Sequence, residues 1–161
     1  MAVLGTKGTV ASGSYALELE KLAPRLRLIQ QACPLWVPLV EAGELSGPGT
    51  EYFLHENLDP LFAAPDPPSR VLLGCTHYPL LLPAIRTMVP AHVEIIAQGA
   101  LVADRLADWL QRHLEMERRL SRNGTRRYAT TDDPGWFARQ GQAILSARIE
   151  VERVRLKPFV G

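Results

Sequence analysis

The chain has 161 residues, a length suited to one compact domain or to one domain plus part of another, and short for a two-lobed enzyme. Apolar residues make up 47% of it and charged residues 22%, which supplies a real core and excludes general disorder. With 18 Lys plus Arg against 17 Asp plus Glu, the formal net charge is +1, so no global field points to nucleic acid or to an anionic membrane.

Pro, Gly, Gln and His interrupt the longest uncharged runs, and none approaches the roughly 18 apolar residues of a membrane-spanning helix. The segment from Met1 to Gly8 lacks the basic and apolar regions of a secretory signal. Two cysteines, Cys33 and Cys75, make no disulfide framework, so a reduced cytoplasmic setting is expected.

In chain order, residues 1–5 predict a short strand, and Thr6, Thr9, Ser12 and Gly13 predict a turn and a helix start. Tyr15, Leu19 and Leu22 fall at helical spacing, which predicts a helix over 14–22 closed by Pro24. Leu26, Leu28 and Ile29 predict a strand up to Ala32, where Cys33-Pro34 turns the chain. The apolar run 36–41 ends in a lone carboxylate, Glu41, before a loop rich in Gly and Pro. Phe53, Leu54, Leu58, Leu61 and Phe62 predict a helix over 51–62, and the prolines of 63–69 mark a surface connection.

The continuous apolar run 71–75 predicts a parallel strand covered on both faces. Pro79 suits the first turn of a helix containing Leu82, Ile85 and Met88, although Pro83 permits a later start. A strand is expected over 92–96, then an amphipathic helix over 101–116 with Val102, Leu106, Trp109 and Leu110 on one stripe, the face that a surface helix presents to its own core. An exposed basic stretch over 118–127, a strand over 127–131, a helix over 136–145 and a strand over 149–156 complete the pattern. Strands alternating with helices define an α/β class with a mostly parallel sheet.

The most informative segment is Gly74-Cys-Thr-His-Tyr-Pro79, which places a thiol, a hydroxyl and an imidazole at the end of a buried strand. A thiol acts as base or nucleophile only as thiolate, and a helix N-terminus or a nearby imidazolium favours that form. Thr76 and the backbone N–H groups of the turn are suited to a carboxylate. From these residues alone the simpler alternative stays open, with Cys75 a small hydrophobe and His77 a solvated turn residue. Glu41 is either a carboxylate that tunes a neighbour or a solvated cap.

Cys33 has no His, Lys or Arg beside it and is expected to serve packing. The segment Gly5-Thr-Lys-Gly-Thr9 lacks the spacing of a phosphate loop or a dinucleotide fingerprint, so no nucleotide is expected. Cys33, His55, Cys75 and His77 lack metal-ligand spacing, and no metal or other cofactor is expected. The arginines from 112 to 127 are interleaved with glutamates, which favours a solvated helix end over a nucleic-acid groove.

Gly74-Cys-Thr-His-Tyr-Pro79 resembles the second-cysteine motif of bacterial glutamate racemases. Val3-Leu-Gly-Thr6 with Thr9 and Ser12-Gly-Ser-Tyr15, then Ala32-Cys-Pro-Leu-Trp-Val-Pro-Leu-Val-Glu41, are similar to that family in order and separation. Tyr128-Ala-Thr-Thr-Asp-Asp-Pro134 followed by Phe137 is similar to its C-terminal strand and last helix. The family's Asp-Ser-Gly and Cys-Asn-Thr motifs do not occur in this chain.

The resemblance implies a racemase-like three-layer α/β fold, with one complete domain over 1–98 and, over 99–161, the C-terminal part of another. It implies cofactor-independent interconversion of L- and D-glutamate for peptidoglycan precursor supply. Cys75 would be the base on the L-glutamate side, assisted by His77 and Glu41. Thr76 and the His77 backbone would hold substrate, as would Thr6 and Thr9. The opposite thiol would belong to a missing N-terminal half or a dimer partner, so the chain alone is expected to be inactive as a racemase, with the stripe around Val102, Leu106 and Trp109 exposed and prone to associate. Two alternatives carry different functions: a non-catalytic partner-binding module of the same fold, and a cysteine hydrolase using Cys75. A hydrolase would require a sharp turn between Cys75 and His77.

Overall fold

The computed structural model describes residues 1–145 and 147–156. The chain divides into two compact units, one from Met1 to Arg112 and one from His113 onward. The division falls after Arg112 because strand β4 (Glu94–Ala97) runs without a loop into helix α6 (Gln98–Arg112), which therefore belongs to the first unit.

The first unit is built on a four-stranded parallel sheet in the order β2-β1-β3-β4, where β1 is Ala2–Gly5, β2 is Ile29–Ala32 and β3 is Arg70–Leu73. β1 is buried at every position, as a central parallel strand must be when both faces are covered. Alternate residues divide between the faces. Ala2, Leu4, Val71, Leu73 and Ile95 join the main core with Trp36 and Val40 of α3 (Trp36–Glu41), Leu54 and Leu58 of α4 (Pro48–Phe62) and Ile85 of α5 (Leu82–Met88). On the other face, Gly5 packs against Thr9 and Val10, from the turn-sized helix α1 (Lys7–Ala11). There Tyr15 of α2 (Ser14–Leu22) approaches Gly74 and Val3. Helices thus lie on both faces of the sheet, the arrangement expected from the sequence.

Several boundaries differ from expectation for local reasons. The apolar run 36–41 is a helix, and α4 starts earlier than residue 51, with Pro48 in its first turn. Both Pro79 and Pro83 take first-turn positions, the former in a 3₁₀ turn over Tyr78–Leu81 and the latter in α5. The helix expected over 101–116 is two: α6 ends at Arg112 and α7 is Leu114–Glu117, because His113 leaves helical geometry at φ −119°, ψ 65°. The apolar stripe of α6 lies open, as the resemblance implies for this chain. No residue of α6 is buried, and Leu101, Val102, Leu106 and Trp109 line an open groove of about 430 Å3 with Gln98 and Arg105.

In the second unit, β5 (Tyr128–Thr130) and β6 (Val151–Arg153) pair in parallel across helix α8 (Pro134–Leu145). Gly141 lets Ile149 pack flush on α8, since a Cβ there would meet the Ile149 Cδ1 at 2.3 Å. Asp133 caps the helix, accepting from the Trp136 N–H at 2.5 Å.

Gly74 is the tightest point of the first unit. A Cβ at this position would lie 3.0 Å from the Leu4 carbonyl oxygen and 3.1 Å from Val3 Cγ1. Gly74→Ala should therefore destabilise the chain by about 1–3 kcal/mol, because backbone cannot yield as a flexible side chain can. Urea unfolding monitored by circular dichroism measures the loss, and an unchanged midpoint would contradict the close packing.

Candidate active site

The strand order has a consequence for where a ligand binds. After β1 the chain places β2 on one side and β3 on the other, so the topological switch point lies between β1 and β3. In open α/β sheets the crevice outside the carboxyl ends of the strands at that point is the usual binding position. Thr6 follows the end of β1 and Cys75 lies just past the end of β3, both at that edge. The Gly74 N–H donates to the Leu4 carbonyl at 2.8 Å and the Cys33 N–H to the Gly5 carbonyl at 2.8 Å, which keeps the strand ends level.

Beyond Leu73 the chain leaves the strand and turns, and the Tyr78 N–H closes the turn on the Cys75 carbonyl at 3.3 Å. This sharp turn brings His77 back to Cys75, with the thiol Sγ 4.0 Å from Nδ1. The other ring nitrogen, Nε2, lies 3.5 Å from Glu41 Oε1 at the end of α3. A carboxylate, an imidazole and a thiol therefore stand in one line contributed by two separate segments.

The thiol of Cys75 is partly buried and packs against the core, whereas Thr76 is exposed at the mouth of the turn. Thr6 caps α1, accepting from the Thr9 N–H at 3.1 Å, and its hydroxyl is 2.9 Å from that of Thr9. The two threonines are thus fixed to each other at the sheet edge. Among the described residues no three His, Cys, Asp or Glu side chains converge as metal ligands. His55 instead lies 2.9 Å from Asp59, exposed on α4.

Cys33 has the opposite environment. It is fully buried in the core, and burial pushes its thiol up to about 12. Packing is its role, as its flanks imply. Its carbonyl accepts from the Tyr78 hydroxyl at 2.9 Å, and Tyr78 stacks edge-on against Trp36 with ring centroids 4.9 Å apart. Sequence reasoning missed Tyr78 as part of the site. The signal available was an aromatic residue set between His77 and Pro79, but nothing local announces its burial or its partner.

The fold and these side chains define a parallel α/β domain with a candidate cysteine-centred site at its switch point. No family model matches the chain. It is 38% identical over 137 residues to the glutamate racemase of Shouchella clausii, an alignment that covers 85% of this chain and 48% of that protein. The crystal structure of a Bacillus anthracis glutamate racemase superposes with a TM-score of 0.83 at 28% identity, covering 96% of this chain and 57% of the other. That of the Francisella tularensis glutamate racemase, in complex with D-glutamate, gives 0.82 at 26% identity with the same coverages. The chain is homologous to glutamate racemases over most of its own length, and it spans about half the length of the curated relatives it matches.

The contrast between the two thiols is testable. Iodoacetamide applied to the native chain should modify Cys75 and leave Cys33 untouched until urea is added, as peptide mass spectrometry would record. The raised Cys33 pKa also makes stability depend on pH. The unfolded thiol ionises near its ordinary 9.0 and the folded one near 12, so the folded state binds more protons above pH 9. Its contribution is complete below about pH 9 and is lost as the pH rises through about 12. Cys33→Ala should flatten the decline in urea midpoint over that window, and an unaltered slope would count against burial of the thiol.

Proposed function

We propose that this chain carries one catalytic half-site of a glutamate racemase, an isomerase that interconverts L- and D-glutamate without a cofactor. The homology to glutamate racemases carries the proposal, and the alignment of Glu41, His77 and Cys75 supplies its chemistry. The Cys75 thiolate takes the α-proton of L-glutamate, leaving the electron pair on the α-carbon, and the resulting thiol returns a proton in the reverse direction. His77 assists the proton transfer at Cys75, and Glu41 lies against its other ring nitrogen. Thr76, the His77 backbone, Thr6 and Thr9 bind the substrate's polar groups at the carboxyl edge of β1 and β3. D-glutamate is the product needed for peptidoglycan precursors, and a reducing cytoplasm suits a working thiol.

Inversion requires a second acid on the opposite face of the α-carbon. Cys33, buried and with its pKa near 12, is unsuited to that task. In this proposal the opposite thiol comes from a separate N-terminal half or a partner subunit. In this proposal residues 1–98 form the domain bearing Cys75 and residues 99–161 would complete a neighbouring one, whereas the described residues divide after Arg112 and keep α6 in the first unit.

The line of carboxylate, imidazole and thiol would also serve a cysteine hydrolase. A hydrolase would form a covalent adduct at Cys75 with a burst on an activated ester, which proton transfer does not require.

Incubation of the chain with L-glutamate in D2O separates these functions. The expected outcome is α-deuteration of L-glutamate without D-glutamate, reduced about 100-fold or more in Cys75→Ala, the usual scale for losing a positioned acid–base group. Proton NMR follows the exchange and chiral chromatography the stereochemistry. Absence of exchange, or exchange undiminished in Cys75→Ala, would overturn the assignment of Cys75 as the base. Formation of D-glutamate by this chain alone would overturn the need for a second half.

A further inference from the structure

The contact between Glu41 and His77 cannot fix its own geometry. At 3.5 Å it is longer than a good hydrogen bond, and the side chains are 43% and 32% exposed, so solvent weakens their attraction. Glu41 ends α3, whereas His77 and Cys75 belong to the turn after β3. Something buried must hold these two segments in register.

We propose that Tyr78 is the positioning residue of this site, its hydroxyl holding the Cys33 carbonyl so that His77 stands between Cys75 and Glu41. The inference rests on the function proposed above. Tyr78 is fully buried, and its hydroxyl donates to the Cys33 carbonyl at 2.9 Å, just before α3 begins. Its ring meets Trp36, the first residue of α3, at an interplanar angle of 63°. The Trp36 indole N–H in turn donates to the Phe53 carbonyl at 3.2 Å, anchoring α3 to α4. On the other side, the Tyr78 N–H bonds the Cys75 carbonyl at 3.3 Å, so the phenol and the thiol belong to one closed turn.

Tyrosine is the residue this junction needs. A phenylalanine would fill the same space but leave the Cys33 carbonyl only its longer bond from the Trp36 N–H at 3.3 Å, which weakens the junction without emptying it. Burial first, then the charges of the Cys33 and Cys75 thiolates, push the Tyr78 phenol up, so it stays protonated and remains a donor.

The test follows the alkylation rate of Cys75 by iodoacetamide from pH 6 to 10, using the full chain and mass spectrometry. Tyr78→Phe should slow the reaction at pH 7 by about three- to tenfold, because His77 is then less well placed against the thiol. Glu41→Gln should do the same, and the double variant should be no slower than the slower single one. Ile85→Val removes one methyl group from the buried face of α5 and should leave the Cys75 profile unchanged. Urea unfolding of every variant establishes that it is folded.

A Tyr78→Phe profile identical to the parent's would overturn the inference while leaving the role of Glu41 and His77 intact. Effects of Tyr78→Phe and Glu41→Gln that multiply in the double variant would overturn it too, because independent loosening then explains both. Unchanged profiles in His77→Gln and Glu41→Gln would instead remove the proposed catalytic line itself, and the positioning role with it.

Discussion

The close approach of Gly74 to Leu4 governs the site. The Gly74 N–H reaches the Leu4 carbonyl at 2.8 Å, and the space where a side chain would stand is occupied by that carbonyl, by Val3 and by Tyr15. This contact brings β3 to the end of β1 at full parallel pairing distance, so the residues that follow emerge at the same edge. Thr6 and Cys75 therefore flank one crevice at the switch point, although they are distant in the chain. The parallel connection from β2 past β1 to β3 must also be a long crossover, and it carries α3 with Glu41.

The two cysteines show how environment separates residues of one chemical type. Both follow strands of the same sheet, yet Cys33 turns into the core and Cys75 into a turn beside an imidazole. Burial disfavours the Cys33 thiolate because nothing nearby compensates the charge it would carry. Cys75 keeps partial access to solvent together with His77 and, through it, Glu41. Tyr78 links the two environments, since it bonds the backbone of one cysteine with its hydroxyl and of the other with its amide.

Elsewhere the first unit is less completely covered. α6 has a strongly apolar stripe with no buried residue, and Leu101, Val102 and Leu106 are each more than half exposed. A surface of this kind favours association, because the apolar area gains free energy when water leaves it.

Much of the secondary structure is legible in the residues. The helix over 14–22, the surface connection over 63–69 and the four strands of the first sheet follow from apolar spacing, prolines and caps, which act locally. The segment 74–79 also announces itself, because a thiol and an imidazole after a buried strand are a recognisable combination. The sequence could not reveal that 36–41 is a helix or that His113 interrupts the long amphipathic pattern. Those outcomes depend on what lies beside each segment, and periodicity marks a face without naming what covers it. Likewise, the residues determined that Cys75, His77 and Glu41 were candidates, while the tertiary structure decided that they form one line with Tyr78 behind it. Chemical capability resides in a side chain, but a 3.5 Å or 4.0 Å approach exists only after the crossover between strands has brought distant segments together.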